Sequence, residues 1–528
     1  MAKYRAHLAL VKSRSQSPQL DLPDICLEDS VEKLSALGLV SLTEKSMRLF
    51  FTAEEKLKYF GKTKGLHSTS DKVTRYEFDL VVTKINLEVE TLSDWTTGIS
   101  KRFDLSDLGP AKGAFTWKTI SNLIQLHLGY YLPINRMQNL INLNIFSDAN
   151  IYRQLESQSM MLLPIYIELG AELSDSSYFQ FDDTNPKVIE MTKMVNGNFE
   201  LRKTEEEKKN DSKENKRKNK VMDLLEDEFG RFSDKADGKG LQKKISMTCV
   251  VGATDDNDPK SGICFYRTHY GHAGNLLEKL LEQRSPFKKD IILQGDLASW
   301  NKAPTKFRAL FHITFAGCSS HARRPFKIHS DDDNGLCDQM LFYFLLLAKM
   351  ETRIDERGRT IKRVLFYRKY YGKKVWAKIL ELSESVLRAK KLSECSGHYV
   401  WPASSKFGMA CKYIKKHFKE LTVYLRYAKI SPDNNKVERL LRPEKLYLNN
   451  SKRKETEWAK TCSDILRTIL MTCQFAEAPF EEYLKFVYKN KDKINENPSL
   501  FTPYAFSKLR AEKKLMEKEQ VRQQKDTA

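Results

Sequence analysis

The sequence predicts an α/β fold in which a mixed β-sheet is flanked by helices. Four short apolar runs have the length and the β-branched or aromatic content of strands, and a segment with helical spacing lies between the last two. The predicted strands are residues 178–182, 245–251, 263–268 and 291–296, and the helical segment is residues 275–281. Strands and helices in this order are typical of one mixed sheet covered by helices.

Length and charge limit the class of protein. With 528 residues, of which 41% are hydrophobic, the chain is long enough for two to four packed domains. It carries 89 Lys and Arg against 69 Asp and Glu, a formal net charge of +20. Such a balance favours a polyanionic partner, either nucleic acid or an acidic membrane surface. A lysine-rich protein without such a partner is the alternative.

The sequence predicts a cytoplasmic protein with no membrane segment. Its longest apolar run, residues 340–348, has the length of a core helix and not the roughly 18 residues of a membrane span. No secretory signal is predicted, because the basic N-terminal segment contains no long apolar stretch and no cleavage pattern. The nine cysteines are scattered and include no Cys-x-x-Cys pair, which argues against a disulfide framework and for a reducing compartment.

Periodicity and composition divide the chain into six segments. We expect an accessory region at residues 1–114, with short helices at 28–60 and a β-hairpin at 73–92. A helical segment at 115–175 precedes the predicted sheet at 176–330, and a helical block at 331–425 follows it. The last two segments are 426–485 and a charged, helix-prone tail at 486–528. Within 176–330, residues 195–243 form a charged insertion, of which residues 200–220 are predicted to be solvated and disordered.

The segment 115–175 contains a helix-turn-helix candidate. Apolar residues from Ile120 to Leu128 share one helical face, a break at 130–133 follows, and residues 136–143 form a second short helix. Ser147 is a good N-cap for a third helix. Two short helices around a tight turn suit DNA binding, although the spacing alone favours an ordinary helical bundle.

Three acidic residues are candidates for a metal site. Asp182 and Asp296 lie at the ends of predicted strands, which would hold them rigidly. Glu438 lies in the first turn of a helix that begins after an Asp-Asn-Asn turn at 433–435. Each acid alone is more often a cap or a surface residue. Together in one cleft they would form a two-metal phosphoryl-transfer site.

The segment 317–326 is a second dense cluster of functional groups. A zinc site made of Cys318, His321, His329 and Cys337 is one interpretation, but the spacing is unlike that of zinc fingers. A Cys-His nucleophilic pair is a weaker one, because nothing indicates that Cys318 is activated. The favoured interpretation is phosphate contact by the neighbouring arginines.

Four ordered motifs resemble the transposases of the insertion-sequence sixty-six family, which are DDE transposases. Weaker likenesses lie at 132–136, 402–413 and 479–484, so the resemblance covers about residues 115–485. The four motifs are Phe181-Asp182-Asp183-Thr184, Leu293-Gln294-Gly295-Asp296, Gly317-Cys318-Ser319-Ser320-His321-Ala322-Arg323-Arg324-Pro325-Phe326 and Asp433-Asn434-Asn435-Lys436-Val437-Glu438-Arg439.

The resemblance implies a ribonuclease-H-like catalytic core, with residues 331–425 as a large helical insertion before the catalytic Glu. Asp182, Asp296 and Glu438 would be the catalytic and metal-binding residues, with Mg²⁺ as the cofactor and Mn²⁺ as the alternative. The activity implied is cleavage at the ends of a mobile element and transfer of the strand into target DNA. The residues assigned to DNA contact, partly from their charge and partly from these motifs, are Arg323, Arg324, His321, Arg439, Arg442, Lys369 and Lys373.

The implied partners are double-stranded DNA, further copies of the chain in an assembled complex and small accessory transposition proteins, all at the bacterial nucleoid. Three departures from the family pattern matter. No cysteine-rich segment precedes the core, since only Cys26 lies before residue 200; Asp183 replaces a Glu; and residues 445–452 differ from the family's usual sequence. The last departure motivates the alternative of a catalytically decayed transposase that only binds DNA.

Overall fold

The structure, a computed structural model, describes most of the chain and places it in two compact units. The described residues are 42–79, 81–110, 113–134, 136–137, 147–186, 213–229, 245–297, 305–328, 335–396, 406–450 and 456–526. The N-terminal unit comprises residues 1–104, 114–119 and 134–151, and the core unit comprises residues 105–113, 120–133 and 152–528.

The N-terminal unit contains a four-stranded sheet in the order β1-β3-β2, with β4 also paired to β3. Its elements are β1 (Leu42–Leu49), α1 (Ala53–Phe60), β2 (His67–Asp79), β3 (Val81–Asp94) and β4 (Ile99–Arg102). The predicted hairpin at 73–92 is confirmed, because β2 and β3 pair antiparallel from His67↔Ser93 to Asp79↔Val81.

The prediction of short helices at 28–60 is wrong for residues 42–49, which form a strand parallel to β3. Its residues Met47 and Leu49 alternate with exposed neighbours. Pairing with a strand whose residues Ile85, Leu87 and Val89 are buried outweighs the local helical propensity. Helix α1 agrees with the prediction for its own residues, whereas residues 28–41 lie outside the described part of the chain.

The predicted helix-turn-helix candidate is only partly described. The helices here are α2 (Trp117–Ile124), continued by a π-helical turn at Gln125–Gly129, and α3 (Asp148–Ser174). Most of the predicted helix at 136–143 lies outside the described residues. The predicted N-cap is confirmed, because the Ser147 Oγ accepts the Asn150 N–H at 3.3 Å.

The core unit contains a mixed five-stranded sheet in the order β7-β6-β5-β8-β9. Strands β7, β6 and β5 pair antiparallel, whereas β5, β8 and β9 are parallel. Its strands are β5 (Tyr178–Thr184), β6 (Ile245–Ala253), β7 (Gly262–Tyr270), β8 (Asp290–Gly295) and β9 (His312–Gly317). All four predicted strands are present, and the α/β class is confirmed. Strand β9 was not predicted, because it is short and its apolar pattern is weak.

Helices cover this sheet, and the predicted helical character of 275–281, 331–425 and the tail is confirmed for the described residues. Among these residues no helix is both long enough and apolar enough to cross a membrane. The helices are α4 (Lys213–Phe229), α5 (Ala273–Gln283), α6 (Thr305–Leu310), α7 (Ser319–Ile328), α8 (Leu336–Glu356), α9 (Ile361–Tyr367), α10 (Lys373–Ser396), α11 (Lys406–Lys416), α12 (Phe418–Leu421), α13 (Asn435–Asn450), α14 (Glu457–Phe475), α15 (Phe480–Lys489), α16 (Lys491–Ile494) and α17 (Pro503–Asp526).

Part of the charged insertion predicted at 195–243 is the packed helix α4, so the prediction of disorder is wrong for residues 213–220, which form its first half. Its residues Met222, Leu225 and Phe229 are buried, and they recur at the spacing of one helical face. The Phe229 ring packs against the rings of Tyr166, at 5.7 Å, and Phe265, at 4.9 Å. The high charge of the surrounding sequence hides this apolar face.

Helix α14 protects the edge strand β7. The amide N–H groups of Cys264, Tyr266 and Thr268 face no further strand in the sheet order. They donate instead to side chains of α14 that are spaced one helical turn apart. Cys264 donates to Thr472 Oγ1 at 3.3 Å, Tyr266 to Thr468 Oγ1 at 2.9 Å and Thr268 to Asp464 Oδ2 at 2.6 Å. An edge that would otherwise recruit another strand is thereby closed.

A buried ion network joins α13 to α14. The Glu444 carboxylate on α13 accepts from Lys460 Nζ at 2.5 Å and from Arg467 Nη1 at 3.0 Å, and all three side chains are almost completely buried. Burial alone would raise the pKa of Glu444, but the two cations lower it to about 2. Since a buried charge without its partner is costly, the network fixes the position of α13.

We predict that Gly295→Ala lowers the free energy of unfolding by about 1–3 kcal/mol, the usual cost of overpacking. A Cβ at Gly295 would lie 2.7 Å from Cζ of Phe181, a buried ring in the adjacent strand. Urea denaturation measures the change. Gly129→Ala is the matched control, because its Cβ would meet Leu470 at an ordinary 3.6 Å. Equal stabilities of the two variants would contradict this packing.

Candidate active site

The register of the central parallel strands brings two of the predicted acids close to each other. Gln180 in β5 pairs with Gln294 in β8, and the Gln180 Nε2 donates to the Gln294 Oε1 at 2.9 Å. Side chains two residues apart along a strand share a face. Asp182 lies two residues beyond Gln180 within β5 and therefore shares its face, whereas Asp296 follows the last residue of β8 and lies close enough for its charge to act on Asp182.

The same glutamines hold the segment that leads into α13. Gln294 Nε2 donates to the carbonyl of Ser431 at 2.7 Å, and Gln180 Nε2 lies 3.3 Å from the carbonyl of Asp433. Next along the chain, the Asn434 Nδ2 donates to the carbonyl of Phe181 at 2.7 Å. Three buried amide side chains thus attach the start of the helix to the adjacent strands β5 and β8.

The Asp-Asn-Asn turn then starts the helix. The Asp433 Oδ1 accepts the Asn435 N–H at 3.1 Å, and its Oδ2 accepts from the Asn435 Nδ2 at 2.7 Å. The first helical turn closes when the Glu438 N–H donates to the carbonyl of Asn434 at 3.1 Å. Glu438 is therefore held in the first turn, as the sequence predicts, and only 16% of its side chain is exposed.

Helix α7 borders this turn from the other side. The Ser319 N–H donates to the carbonyl of Pro432 at 3.1 Å, and the Asn434 N–H donates to the Cys318 Sγ at 3.2 Å. One turn further along α7, His321 Nδ1 lies 3.6 Å from Glu438 Oε1, and Arg324 Nη2 lies 3.6 Å from Glu438 Oε2. Glu438 consequently faces an imidazole with one oxygen and a guanidinium with the other.

The electrostatics of Asp182 show that the three predicted acids influence one another. Burial raises the pKa of the Asp182 carboxyl to about 7, and the charges of Glu438, Asp183 and Asp296 add to this rise. The Asp183 N–H, which donates to Asp182 Oδ1 at 2.9 Å, acts in the opposite direction. A carboxylate in such surroundings lacks a compensating cation.

The three carboxylates do not converge to ligand distance by themselves. In the part of the chain that the structure describes, the cluster whose ligand atoms all lie within 4.8 Å of one another consists of Cys318, His321 and Glu438. Both His321 Nδ1 and Glu438 Oε1 are buried and have no hydrogen-bond partner. Burial also lowers the pKa of His321, against the opposing effect of the Glu438 charge, so the imidazole is neutral at pH 7.

Basic side chains surround the cleft in front of Glu438. The cleft has a volume of about 480 Å³, and all five of its cationic side chains are exposed. Its lining residues are Ser320, Arg323, Arg324, Lys327, Asn435, Glu438, Arg439 and Arg442. The structure thus brings four predicted DNA-contacting arginines together beside Glu438. Because exposed cations crowded at this spacing repel one another, the cleft suits a polyanion.

The predicted contacts Lys369 and Lys373 lie elsewhere. They border a second cavity of about 820 Å³ in the helical block, together with Trp376, Leu365 and Leu425. This cavity has an apolar floor, and none of its lining residues belongs to the cleft beside Glu438. A role of these two lysines in DNA contact stays a prediction.

The donor set fits the divalent cation that the resemblance implies. Asp182, Asp296 and Glu438 offer hard carboxylate oxygens, which Mg²⁺ prefers. Among the described residues the buried Glu438 Oε1 has no hydrogen-bond partner. Burial, with a smaller contribution from the neighbouring acids, raises the pKa of Asp182, and a bound cation would offset both effects. These residues would hold the ion after a small movement of the side chains.

Several residues of the site were not identified from the sequence. Ser320, Lys327 and Asn435 line the cleft, and Gln180 and Gln294 position its floor. Gln180 carried a usable signal, because it precedes Asp182 by two residues on a strand and must share its face. Asn434, which joins the helix to β5, lay inside a quoted motif but received no role.

Residues 233–461 match the family model "Transposase IS66 family". The resemblance predicted from the sequence is confirmed over this segment, which is similar to the transposases of that family. The match includes Asp296, the cluster at 317–326 and Glu438, whereas Asp182 lies before it. No curated protein and no solved structure matches the chain.

We predict that Asp182→Asn stabilises the metal-free protein at high pH. Because the pKa of Asp182 is near 7 in the folded protein and near 3.8 ordinarily, the folded state binds the proton more tightly. The free energy of unfolding therefore falls as the pH rises from about 4 to 7, by up to about 4 kcal/mol. The Asn variant avoids this loss.

Urea denaturation between pH 4 and pH 8, with a chelator present, measures the effect. Asp182→Asn should equal the original protein at pH 4 and exceed it at pH 8. Asp290→Asn, which changes an exposed acid at the start of β8, is the control and should leave the pH dependence unaltered. If Asp182→Asn gains no stability at pH 8, the pKa of Asp182 is not raised in the folded protein.

Proposed function

We propose that the protein is a DNA transposase that cleaves the strands at the ends of a mobile element and joins them to target DNA, with divalent metal ions as cofactor. Two observations carry the proposal: the charges of Asp296 and Glu438 act on Asp182, and Glu438 lines a cleft together with Arg323, Arg324, Arg439, Arg442 and Lys327. Carboxylates for metal binding and guanidinium groups for phosphate binding are the two requirements of phosphoryl transfer on DNA.

The architecture supports a ribonuclease-H-like core. Two of the acids extend from adjacent parallel strands in the middle of a mixed five-stranded sheet. The third comes from α13, which follows the helical block between residues 335 and 425 in the chain. The block is then an insertion between the second Asp and the Glu, and its buried Arg368 fixes the chain ahead of α13. The guanidinium donates to the carbonyls of Tyr424, Tyr427 and Ile430, each at 2.9 Å.

Two groups of residues serve this reaction: exposed arginines bind the DNA phosphates, and buried amides support the carboxylates. The exposed arginines of the cleft bind the phosphates on either side of the scissile bond and orient them for in-line displacement. The buried glutamines and Asn434 keep the three carboxylates on a rigid support. Asp182, Asp296 and Glu438 would hold the divalent cations, which would supply activation of the attacking water or 3′-hydroxyl and stabilisation of the leaving oxygen.

The surroundings of Glu438 keep it available for this role. The neutral imidazole of His321 excludes water from one oxygen without neutralising its charge. Arg324 lies at the other oxygen at 3.6 Å, too far for a tight ion pair, and 56% of its side chain is exposed. Arg324 is therefore free to turn toward a phosphate when DNA enters the cleft.

We predict that Asp182→Asn, Asp296→Asn and Glu438→Gln each lower strand cleavage and joining by at least about 10³-fold, since the loss of one metal ligand disables the site. DNA binding should change less than about threefold, because the arginines are untouched. Cleavage of labelled element ends with Mg²⁺ or Mn²⁺, and gel-shift binding in parallel, measure the two effects. Asp290→Asn is the control.

Cleavage retained by any of the three variants would contradict the assignment of that residue. A second outcome separates the two candidate functions. Should the original protein bind element ends and cleave none of them under any divalent cation, it would be a DNA-binding protein only, as the altered residues 445–452 allow.

We also predict the salt dependence of DNA binding. Arg439→Ala or Arg442→Ala should each reduce the slope of log K against log salt by about 0.9, because one phosphate contact is lost. Fluorescence anisotropy on a duplex between 50 and 300 mM salt, the range in which such slopes are resolved, is the measurement. Arg510→Ala is the control, since Arg510 pairs with Glu482 on the neighbouring helix. An unchanged slope for both cleft variants would place the DNA elsewhere.

Further copies of the chain and small accessory proteins complete the proposal as partners. Strand transfer joins two element ends to one target, so an assembly that holds both ends needs at least two active sites.

The exposed aromatic rings beside Lys369, namely Phe366, Tyr370 and Tyr371, give the helical block a surface that suits stacking against nucleic acid bases.

A further inference from the structure

Three side chains beside the cleft form a compact set of mixed sulfur, nitrogen and oxygen donors. Cys318 lies immediately after β9, His321 lies one turn into α7, and Glu438 lies on α13. One ligand atom of each lies within 4.8 Å of the other two. The cysteine is completely buried, and the other two are largely buried, with exposed fractions of 24% and 16%.

The spacing is close to that of a tetrahedral metal site. Bonds of about 2.0–2.3 Å from zinc to oxygen, nitrogen and sulfur place neighbouring ligand atoms roughly 3.3–3.8 Å apart. His321 Nδ1 and Glu438 Oε1 are 3.6 Å apart, inside this range. The thiol needs a shift of at most about 1.5 Å to complete three corners, which a rotation of Cys318 or His321 provides.

Two atoms of the set have no other role in the fold. Within the described part of the chain, His321 Nδ1 and Glu438 Oε1 are both buried without a hydrogen-bond partner, a costly state for polar atoms that a bound cation would relieve. The Cys318 Sγ accepts the Asn434 N–H at 3.2 Å. A backbone donor of this kind orients the sulfur toward the other two ligand atoms.

The chemistry of the donors selects the cation. Thiolate and imidazole are ligands for Zn²⁺ and Co²⁺, whereas Mg²⁺ requires oxygen donors. The Arg324 guanidinium lies near the other oxygen of Glu438, Oε2, so Oε1 stays available. Three protein ligands also leave a fourth position for water.

We propose that Cys318, His321 and Glu438 bind a zinc-class cation at a site that overlaps the magnesium site at Glu438, and that this binding inhibits the enzyme. Glu438 belongs to both donor sets, so occupation of one site withdraws it from the other. The inhibitory part rests on the proposed function, whereas the binding site stands on its own geometry.

Cobalt titration of the full chain tests the site without any DNA. Co²⁺ bound to a thiolate in tetrahedral geometry gives a near-ultraviolet charge-transfer band and visible ligand-field bands. We expect both bands at one equivalent, their displacement by one equivalent of Zn²⁺ and no displacement by Mg²⁺ in large excess.

The variants assign the ligands. Cys318→Ser should remove the charge-transfer band, and His321→Ala should weaken Co²⁺ binding at least about tenfold. Cys337→Ser and Cys411→Ser are matched controls, because both cysteines are equally buried and lie outside the cluster. Absence of the band in the original protein, or its survival in Cys318→Ser, would overturn the proposal. Displacement of Co²⁺ by Zn²⁺ is measured on the original protein, so this part of the test holds even if a variant fails to fold.

The cleavage assay tests the regulatory part. With Mg²⁺ fixed, stoichiometric Zn²⁺ should abolish cleavage by the original protein, and Cys318→Ser should need at least about tenfold more Zn²⁺. A cobalt band together with cleavage that zinc leaves unchanged would overturn the inhibition. Cleavage that is absent even without zinc would count against the proposed function, whereas the cobalt spectra would still decide the metal site.

Discussion

The site depends on the attachment of one irregular segment, residues 431–435, to the ends of the central parallel strands. The Gln180 side chain donates to Gln294 in the neighbouring strand, and the Gln294 side chain donates to a carbonyl of this segment. The Asn434 side chain donates in turn to a carbonyl of β5. These amides are buried, so each bond that is lost would leave a polar group without a partner at a cost of about 1–3 kcal/mol. The attachment fixes where α13 begins and therefore where Glu438 points.

Two other features serve this attachment from either side. Arg368 binds three carbonyls of the chain just before the segment, and the Glu444 network fixes α13 just after it. Their combined rigidity keeps Asp182 buried and close to other acids, and burial together with those charges raises the pKa of its carboxyl. A site that repels itself without a cation is well prepared to bind one, since binding relieves the repulsion.

The sequence predicts much of this arrangement, for identifiable reasons. Apolar runs predict strands β5 to β8, and the Asp-Asn-Asn turn predicts the first turn of α13. The sequence could not show that Asn434 reaches β5 or that Cys318 meets Glu438, because both contacts join residues more than 100 positions apart. Composition also misled where charge is dense, as in α4, whose three buried side chains carry the signal that the surrounding lysines and glutamates conceal. Strand β1 shows the same limit, because its partner β3 decides its conformation.

The most direct test of the central claim is the position of bound Mn²⁺ by anomalous diffraction from crystals of the protein, since Mn²⁺ substitutes for Mg²⁺ at oxygen ligands. Asp182, Asp296 and Glu438 should surround the anomalous peaks, and where two metals bind they should lie roughly 4 Å apart. Peaks that contact none of these carboxylates, in a crystal where all three are ordered, would contradict the account.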